Sequence, residues 1–595
     1  MNITPTKLTI SQLLSSSNEQ FIVPSYQRRY AWGYNQYLAL YEDIEMLKEN
    51  DGHLFGTIIL HSNQHVAGIN QPEIIDGQQR ITTLILFLKA FETSFRKLGK
   101  ETKATEVRKI VTCHGLDDIE KSKLVLGELD NPDIEQLVLN DNSVQLSNTK
   151  ISETYESYVN WLGELDFPAL SGFYYKLTNI AVIIRLDVGI AQDAYKLFET
   201  INNRGLRLTS TDIIKNFLLG HAAKINDQKT LENVKAKWSE IIRNLDGIDT
   251  DDFLRQLMCS ILHRKITMSK LVQEFKKYYL KNVLHGELLG EFEYYSDDFP
   301  VDEDEGNDDQ DENNDLDTQE GEKFTIEKFL TDLSHLSYTY KQISTGTFSD
   351  KKLNRYIVGL NKILSKPTYI FLVHFLQSAA YSSKYKQKVL QYVETLMLRR
   401  HICESRTSEN DDIFSKLVPL INKENLLELI TEYVSTNEYM PDDESFELSL
   451  PKHQFKGRLV NRAKYILERI EYFERGETQE LVISSDTEVH LEHIIPQTIN
   501  TKKSKDEFGD WVSYLGNNSV AKHAKYVNYI GNMTLLGESL NIQAYNNPFA
   551  KKKSSYRQSN FLITSQLAIK NDFKFSHVDS RGEDLTKTAL KIWKS

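Results

Sequence analysis

The sequence predicts an α+β protein that is mostly helical, on three observations. Short Val- and Ile-rich runs that end at turn residues sit towards the two ends of the chain. Residues 225–300 and 323–435 repeat apolar side chains at helical spacing and carry little glycine or proline. The length of 595 residues calls for three or four domains at about 150 residues each. In order along the chain, Phe21-Ile22-Val23-Pro24 reads as extended, because Pro24 excludes a long helix there. Thr57-Ile58-Ile59-Leu60 and Glu73-Ile74-Ile75 have strand character, Asp76-Gly77 breaks the strand, and Gln78 to Phe91 reads as a helix. A second such unit follows: a buried-strand run at Ala181–Leu186, a helix from Asp193 to Asn202, a turn at Asn203-Arg204-Gly205, and a helix from Ser210 to Leu219. Tyr385 to Ile402 and Arg458 to Tyr472 are amphipathic helices, after which the texture turns to the short strand Val489–His493. These readings set domain boundaries at 1–225, 226–440 and 441–595.

Composition removes several function classes. Hydrophobic residues make up 40% and charged residues 26%, an ordinary globular mix. No run of about 18 apolar residues exists to span a bilayer, and the first residues lack the basic-then-apolar pattern of a secretory signal. Cys113, Cys259 and Cys403 are too few and too scattered for a disulfide framework or a cysteine zinc site, so a cytoplasmic compartment is expected and no membrane partner. The net charge of −13 seems to argue against a nucleic-acid partner, but residues 302–322 alone hold twelve acids and no base. That run cannot bury a core and reads as a disordered loop. Residues 501–595 instead carry a net +7. Charge asymmetry within a chain says more than its total.

Two constellations carry chemistry. Near the C-terminus, Glu492-His493 closes a short strand before Ile494-Ile495-Pro496, Asn532 follows 39 residues after His493 in Gly531-Asn532-Met533-Thr534-Leu535-Leu536, and Asn541 lies nine residues further. Phosphodiester hydrolysis needs a base for water, a hard divalent cation for the phosphate charge, and a group that orients the base. His493 suits the base, Glu492 and Asn541 are oxygen donors that Mg²⁺ accepts, and Asn532 can fix the imidazole tautomer. Lys551, Lys552, Lys553 and Arg557 lie downstream as candidate DNA-phosphate contacts.

Near the N-terminus, Ile74-Ile75-Asp76-Gly77-Gln78-Gln79-Arg80 takes a strand through a glycine into a helix. Free N–H groups and an arginine there are suited to an anion, and the motif alone reads equally as an ordinary capped turn. Gln27 and Arg28 precede it in Pro24-Ser25-Tyr26-Gln27-Arg28-Arg29-Tyr30. Asn202-Asn203-Arg204-Gly205 and Thr211-Asp212-Ile213-Ile214-Lys215-Asn216 follow it. The run at 202–205 reads equally as a helix C-cap with a left-handed glycine. Tyr26, Tyr30 and Trp32 are candidate stacking faces for a flipped base, with core packing the better reading for each alone. Arg399 and Arg400 read as flanks of a core helix. No G-x-x-x-x-G-K-[ST] occurs, so a P-loop ATPase is excluded.

Taken together, the E-H-I-x-P-Q and G-N-x-T-L-L runs resemble an HNH, or His-Me finger, nuclease motif. The whole series resembles the GmrSD-type modification-dependent (type IV) restriction endonucleases. The resemblance implies a ParB/sulfiredoxin-like N-terminal α/β domain at 1–225 that binds and hydrolyses nucleotide, a helical middle at 226–440, and a ββα-metal (HNH) nuclease domain at 441–595. It implies that His493 is the general base, that Asn532 orients it, and that Glu492 and Asn541 help bind one Mg²⁺ or Mn²⁺. His490 is an added ligand candidate. It also implies that Asp76, Gly77, Gln78, Gln79 and Arg80 form a phosphate-binding turn with Gln27 and Arg28 as neighbours, closed by Asn202 and Arg204. The expected activity is metal-dependent, NTP-regulated cleavage of modified phage DNA, with a homodimer supplying the two nicks of a double-strand break. An NTP-hydrolysing or DNA-binding regulator with a dormant nuclease end, and a toxin acting on RNA or host DNA, are the alternatives.

Overall fold

The computed structural model describes residues 3–595 apart from 49–52, 62–64, 141–145, 191–192, 196, 198–208, 226, 286–322 and 477–487. The acidic run at 302–322, the pocket candidates Asn202 and Arg204, and most of the helix expected at Asp193–Asn202 therefore lie outside the described residues. The chain forms two compact units, Met1–Arg255 with Thr267–Tyr338, and Gln256–Ile266 with Thr339–Ser595.

The first unit is built on a six-stranded mixed sheet. Its strands are β1 (Ile3–Thr9), β2 (Phe21–Ile22), β3 (His53–His61), β4 (Glu73–Asp76), β5 (Leu124–Val125) and β6 (Ala181–Val188), in the order β1-β6-β3-β4-β2-β5. β6 runs antiparallel to β1, with Leu8 opposite Ile183, and parallel to β3, with Leu186 opposite Ile59. β3 and β4 are antiparallel, with Leu60 opposite Ile74. The runs at 57–60, 73–75 and 181–186 are found here, lengthened by one to several residues, while the extended run at 21–24 is a strand only over Phe21–Ile22. Helix α1 (Gln78–Lys97) follows β4 directly and is buried on nearly every face, from Ile81 through Phe95. A helix that is apolar all round must be central to a core. Its Phe87 stacks on Tyr158 at 4.0 Å between ring centroids, and each such ring or aliphatic chain contributes about 1.5–3 kcal/mol on burial. The two charges in its buried stretch are paired, Lys89 to Glu92 at 2.7 Å. Helix α2 (Ser210–Lys224) starts at Thr209, whose hydroxyl accepts from the Asp212 N–H, a side-chain cap of the ordinary kind.

Among its described residues, the second unit is helical apart from one strand pair. Helices α3 (Ser383–Ile402) and α4 (Val460–Arg475) match the two amphipathic runs read from the sequence. Strands β7 (Val489–His493) and β8 (Met533–Gly537) pair antiparallel, with His493 opposite Met533. Helix α5 (Glu538–Ala544) leaves β8 without a loop and packs on both strands, and α6 (Phe549–Gln558) and α7 (Phe575–Ile592) complete the end. Arg399 and Arg400 are core clamps. Arg399 bonds the Trp593 and Pro441 carbonyls and Asp443, and Arg400 bonds Asn410, Glu409 and the Tyr439 carbonyl. Among the described residues no helix is long and apolar enough to cross a membrane.

Candidate functional site

The strand end at Glu492–His493 is held from three sides. Asn532 is fully buried, and its carboxamide is wholly engaged with main chain. It donates to the Ile495 and Val527 carbonyls, both at 3.0 Å, and accepts from the Ile495 N–H at 2.8 Å. This corrects the expected role, because Asn532 fixes the loop that leaves His493 and does not bond its ring. The turn that carries Asn532 approaches α7 so closely that a Cβ on Gly531 would sit 2.0 Å from the Val578 carbonyl oxygen, which explains the glycine in the G-N run. Arg581, from α7, ties the same turn by donating to the Gly531 and Met533 carbonyls at 3.0 and 2.6 Å. Nothing in the sequence marked Arg581, since it lies 49 residues past Asn532 in an ordinary helical run.

Glu492 points to the other side of the strand. Its Oε1 accepts from Lys552 Nζ at 2.6 Å and from the Tyr556 hydroxyl at 3.0 Å, both on α6. Lys552 also donates to the His493 carbonyl at 2.8 Å. Two expectations are corrected here. Lys552 is buried inside an ion pair and is not a DNA contact, while Lys551 and Arg557 on the same helix are exposed and Lys553 is half-buried. Glu492 is neutralised by that lysine, so it is not presented as a metal ligand. Burial raises the Glu492 carboxyl and lowers the Lys552 ammonium, each against the pull of the other.

What the strand leaves open is a set of buried polar atoms without hydrogen-bond partners: His493 Nε2, His490 Nε2 and, on α5, Asn541 Oδ1. Burial, reinforced by the Lys552 and His523 charges, brings the His493 imidazole down to about 4, so it is neutral at physiological pH. Buried polar groups are normally satisfied, and a neutral ring nitrogen with a free lone pair is what a base or a ligand requires. Among the described residues no three His, Cys, Asp or Glu side chains converge as a metal cage. Asn541 Oδ1 is thus an unengaged oxygen donor of the kind a hard divalent ion accepts.

The turn in the first unit is a different kind of site. Gly77 has φ +98°, and a Cβ there would meet Ile58 Cγ2 at 2.6 Å, so only glycine lets β4 pass into α1. Arg80 lies across Gly56, which is also left-handed, and donates to the Thr57 carbonyl at 2.5 Å with Asp76 at 3.8 Å. Burial raises the Asp76 carboxyl despite the nearby Arg80. Gln78 donates to the Arg28 carbonyl, and Gln79 bonds the Arg29 carbonyl and the Ala31 N–H. The two glutamines thus strap down the 28–31 loop. Gln27, Arg28, Tyr30 and Gln78 share the wall of one cleft, and Tyr26 and Tyr30 are both buried.

Two residues that carry charge into this site were quoted in the sequence only as part of a motif. Lys215 is buried and donates to Gln27 Oε1 at 2.6 Å and to Asp212 at 3.2 Å, and Arg28 lies 3.8 Å from the same carboxylate. Although burial opposes it, Lys215 and Arg28 hold Asp212 below its ordinary value. Burial lowers Lys215 in turn. The i, i+3 spacing of Asp212 and Lys215 was the available signal.

A nuclease-like strand pair with a neutral buried histidine and, in a separate unit, a cation-lined strand-to-helix turn define a two-part nucleic-acid enzyme. Residues 10–219 match the family model described as "GmrSD restriction endonuclease, N-terminal domain", and residues 440–588 match "GmrSD restriction endonucleases, C-terminal domain". Together these span more than half of the chain, which belongs to the GmrSD family of type IV restriction endonucleases. It is a nuclease of restriction, and its substrate is DNA. No curated protein matches the chain.

Proposed function

We propose that this chain is a metal-dependent DNA endonuclease, gated by nucleotide bound to its first unit, that restricts modified phage DNA. The observation that carries the reading is His493 Nε2, buried, neutral and without a partner at the end of β7. It takes the proton from the attacking water. Lys552 and Tyr556 clamp Glu492, Asn532 clamps the chain just after His493, and the ring is thereby held between two fixed backbone points. A bound Mg²⁺ or Mn²⁺, taking Asn541 Oδ1 as an oxygen ligand, would supply Lewis-acid neutralisation of the phosphate and leaving oxygen.

In the first unit, Arg28, Arg80 and Lys215 present positive charge around the Gly77 turn, which suits a nucleoside triphosphate's phosphates. Conversion of supercoiled plasmid to nicked and linear forms tests the whole reading. It is run with Mg²⁺ or Mn²⁺, with and without each NTP, on unmodified and modified phage DNA. Cleavage that needs His493 and metal, and that responds to NTP and to modification, is expected. Cleavage undiminished in His493→Ala rejects the base. A nick-to-linear ratio independent of protein concentration rejects a homodimer as the cutting form.

A further inference from the structure

A second cavity lies wholly within the unit that contains β7 and β8. Its volume is ≈ 980 Å³, at the upper end of ligand pockets, which span about 300–1,000 Å³. The wall comes from the segment around Ser365, the C-terminal end of α3 with the chain after it, and the loop that enters α4. Lys366, Arg406 and Arg458 are exposed on it, and Arg462 lies deeper, while Glu404 is the one carboxylate among the lining residues. Arg400 also reaches the wall, but its guanidinium is engaged by Asn410, Glu409 and the carbonyls of Tyr439 and Arg406.

Two side chains in this wall are buried and incompletely satisfied. His453 is 8% exposed, its ring is incompletely hydrogen-bonded, and Glu404 is 3.8 Å away. Arg462 is 5% exposed, donates through Nη2 to the Ile363 carbonyl at 2.9 Å, and leaves Nε without a partner. An unmade buried donor costs about 1–3 kcal/mol, so a wall that keeps two of them beside a surplus of cations is built for an anion. The one phenol ring in the lining, Tyr369, is buried, and its hydroxyl donates to Asn361 at 2.5 Å. The cations of the wall suit phosphates.

We propose that this cavity binds backbone phosphates of the DNA substrate, at a site separate from the strand end at His493. Arg406 and Arg458 take phosphates at the mouth, and Arg462 and His453 complete a phosphate's hydrogen bonds within. Such contacts position DNA without reading its sequence. The inference rests on the chain being a DNA endonuclease, but it concerns binding, so binding is what tests it.

The full chain is titrated against a fluorescent duplex of about 20 base pairs, without divalent metal, over a range of salt. The doubly reversed variant Arg406→Glu/Arg458→Glu is the probe, because both side chains are exposed; a matching thermal melt establishes that it folds. The expected result is a Kd at least about tenfold weaker and a log K against log salt slope shallower by about two. Wild-type affinity and slope in the folded variant overturn the proposal. Inorganic triphosphate is the second probe. Loss of its binding in the variant, with DNA held as tightly as by the wild type, reassigns the cavity to free polyphosphates and also overturns it. Failure of the nuclease reading shows elsewhere, as a wild-type protein that binds DNA and cleaves none with any metal.

Discussion

The turn at Asp76–Arg80 and the strand end at Glu492–His493 both place polar side chains where a strand gives way to a loop or helix, and they settle the cost of burial in opposite ways. In the first, charges answer charges: Lys215 and Arg28 with Asp212, Arg80 with Asp76. In the second, the carboxylate and lysine cancel each other on one side of the strand, and His493 Nε2 and Asn541 Oδ1 are left without partners. A paired network can accept a polyanion by trading partners. A set of neutral lone pairs can accept a proton or a cation. The difference shows why two sites of similar sequence texture suit different ligands.

The comparison breaks most sharply at His493. Substitution to alanine removes the neutral ring and is expected to slow plasmid cleavage by about 10²–10⁴-fold, while binding of labelled NTP to the first unit is unchanged. A parallel loss of NTP binding would mean that the two sites are not chemically independent. Next in size is Lys552→Met, which leaves Glu492 charged and unpaired; removal of one partner of a buried pair costs about 3–5 kcal/mol. Urea unfolding is the measurement, and Lys552→Met/Glu492→Gln is expected to recover much of the loss. If the double variant is no more stable than the single one, the pair is not what holds α6 to β7.

Gly77→Ala should cost about 1–3 kcal/mol, because φ +98° and the contact with Ile58 both exclude a side chain. It should also weaken NTP binding, as should Arg80→Ala. Equal NTP binding by wild type and Arg80→Ala would remove the nucleotide from that turn.

The last expectation concerns pH. Burial lowers His374 to about 4, and burial with the Arg462, Arg400 and His453 charges lowers His401 to about 3, both from 6.5. The unfolded chain therefore binds more protons. The stability these rings contribute is fully present above about pH 6.5 and is lost as pH falls towards 4 and 3, by at most about 1.4 kcal/mol per pH unit for each ring. Melting temperatures flat between pH 7 and 5 would contradict it.

Much of the front site was legible because its signals are local. A glycine between a strand and a helix, an arginine three residues on, and capped helix starts depend on neighbours in sequence. The strand runs at 57–60, 73–75 and 181–186 showed themselves by β-branched composition for the same reason. The back site was legible in residue type but not in role. Glu492 and Lys552 are 60 residues apart, Asn532 and Ile495 are 37 apart, and Arg581 reaches the Asn532 turn from the last helix. No periodicity encodes such distances.

The sequence by itself determined the class of the protein. Its ordered motifs, its lack of a spanning or disulfide pattern, and its alternation of strand and helix runs follow from the local preferences of residues and from residue type. The tertiary structure alone decided which polar groups are satisfied. It turned Lys552 from a surface cation into the counterion of Glu492, turned Asn532 from a ring partner into a backbone clamp, and left His453 and Arg462 incompletely hydrogen-bonded in a cationic cavity. Whether a charge meets water, an opposite charge or nothing depends on which distant segments pack around it, and packing is a property of the folded chain as a whole.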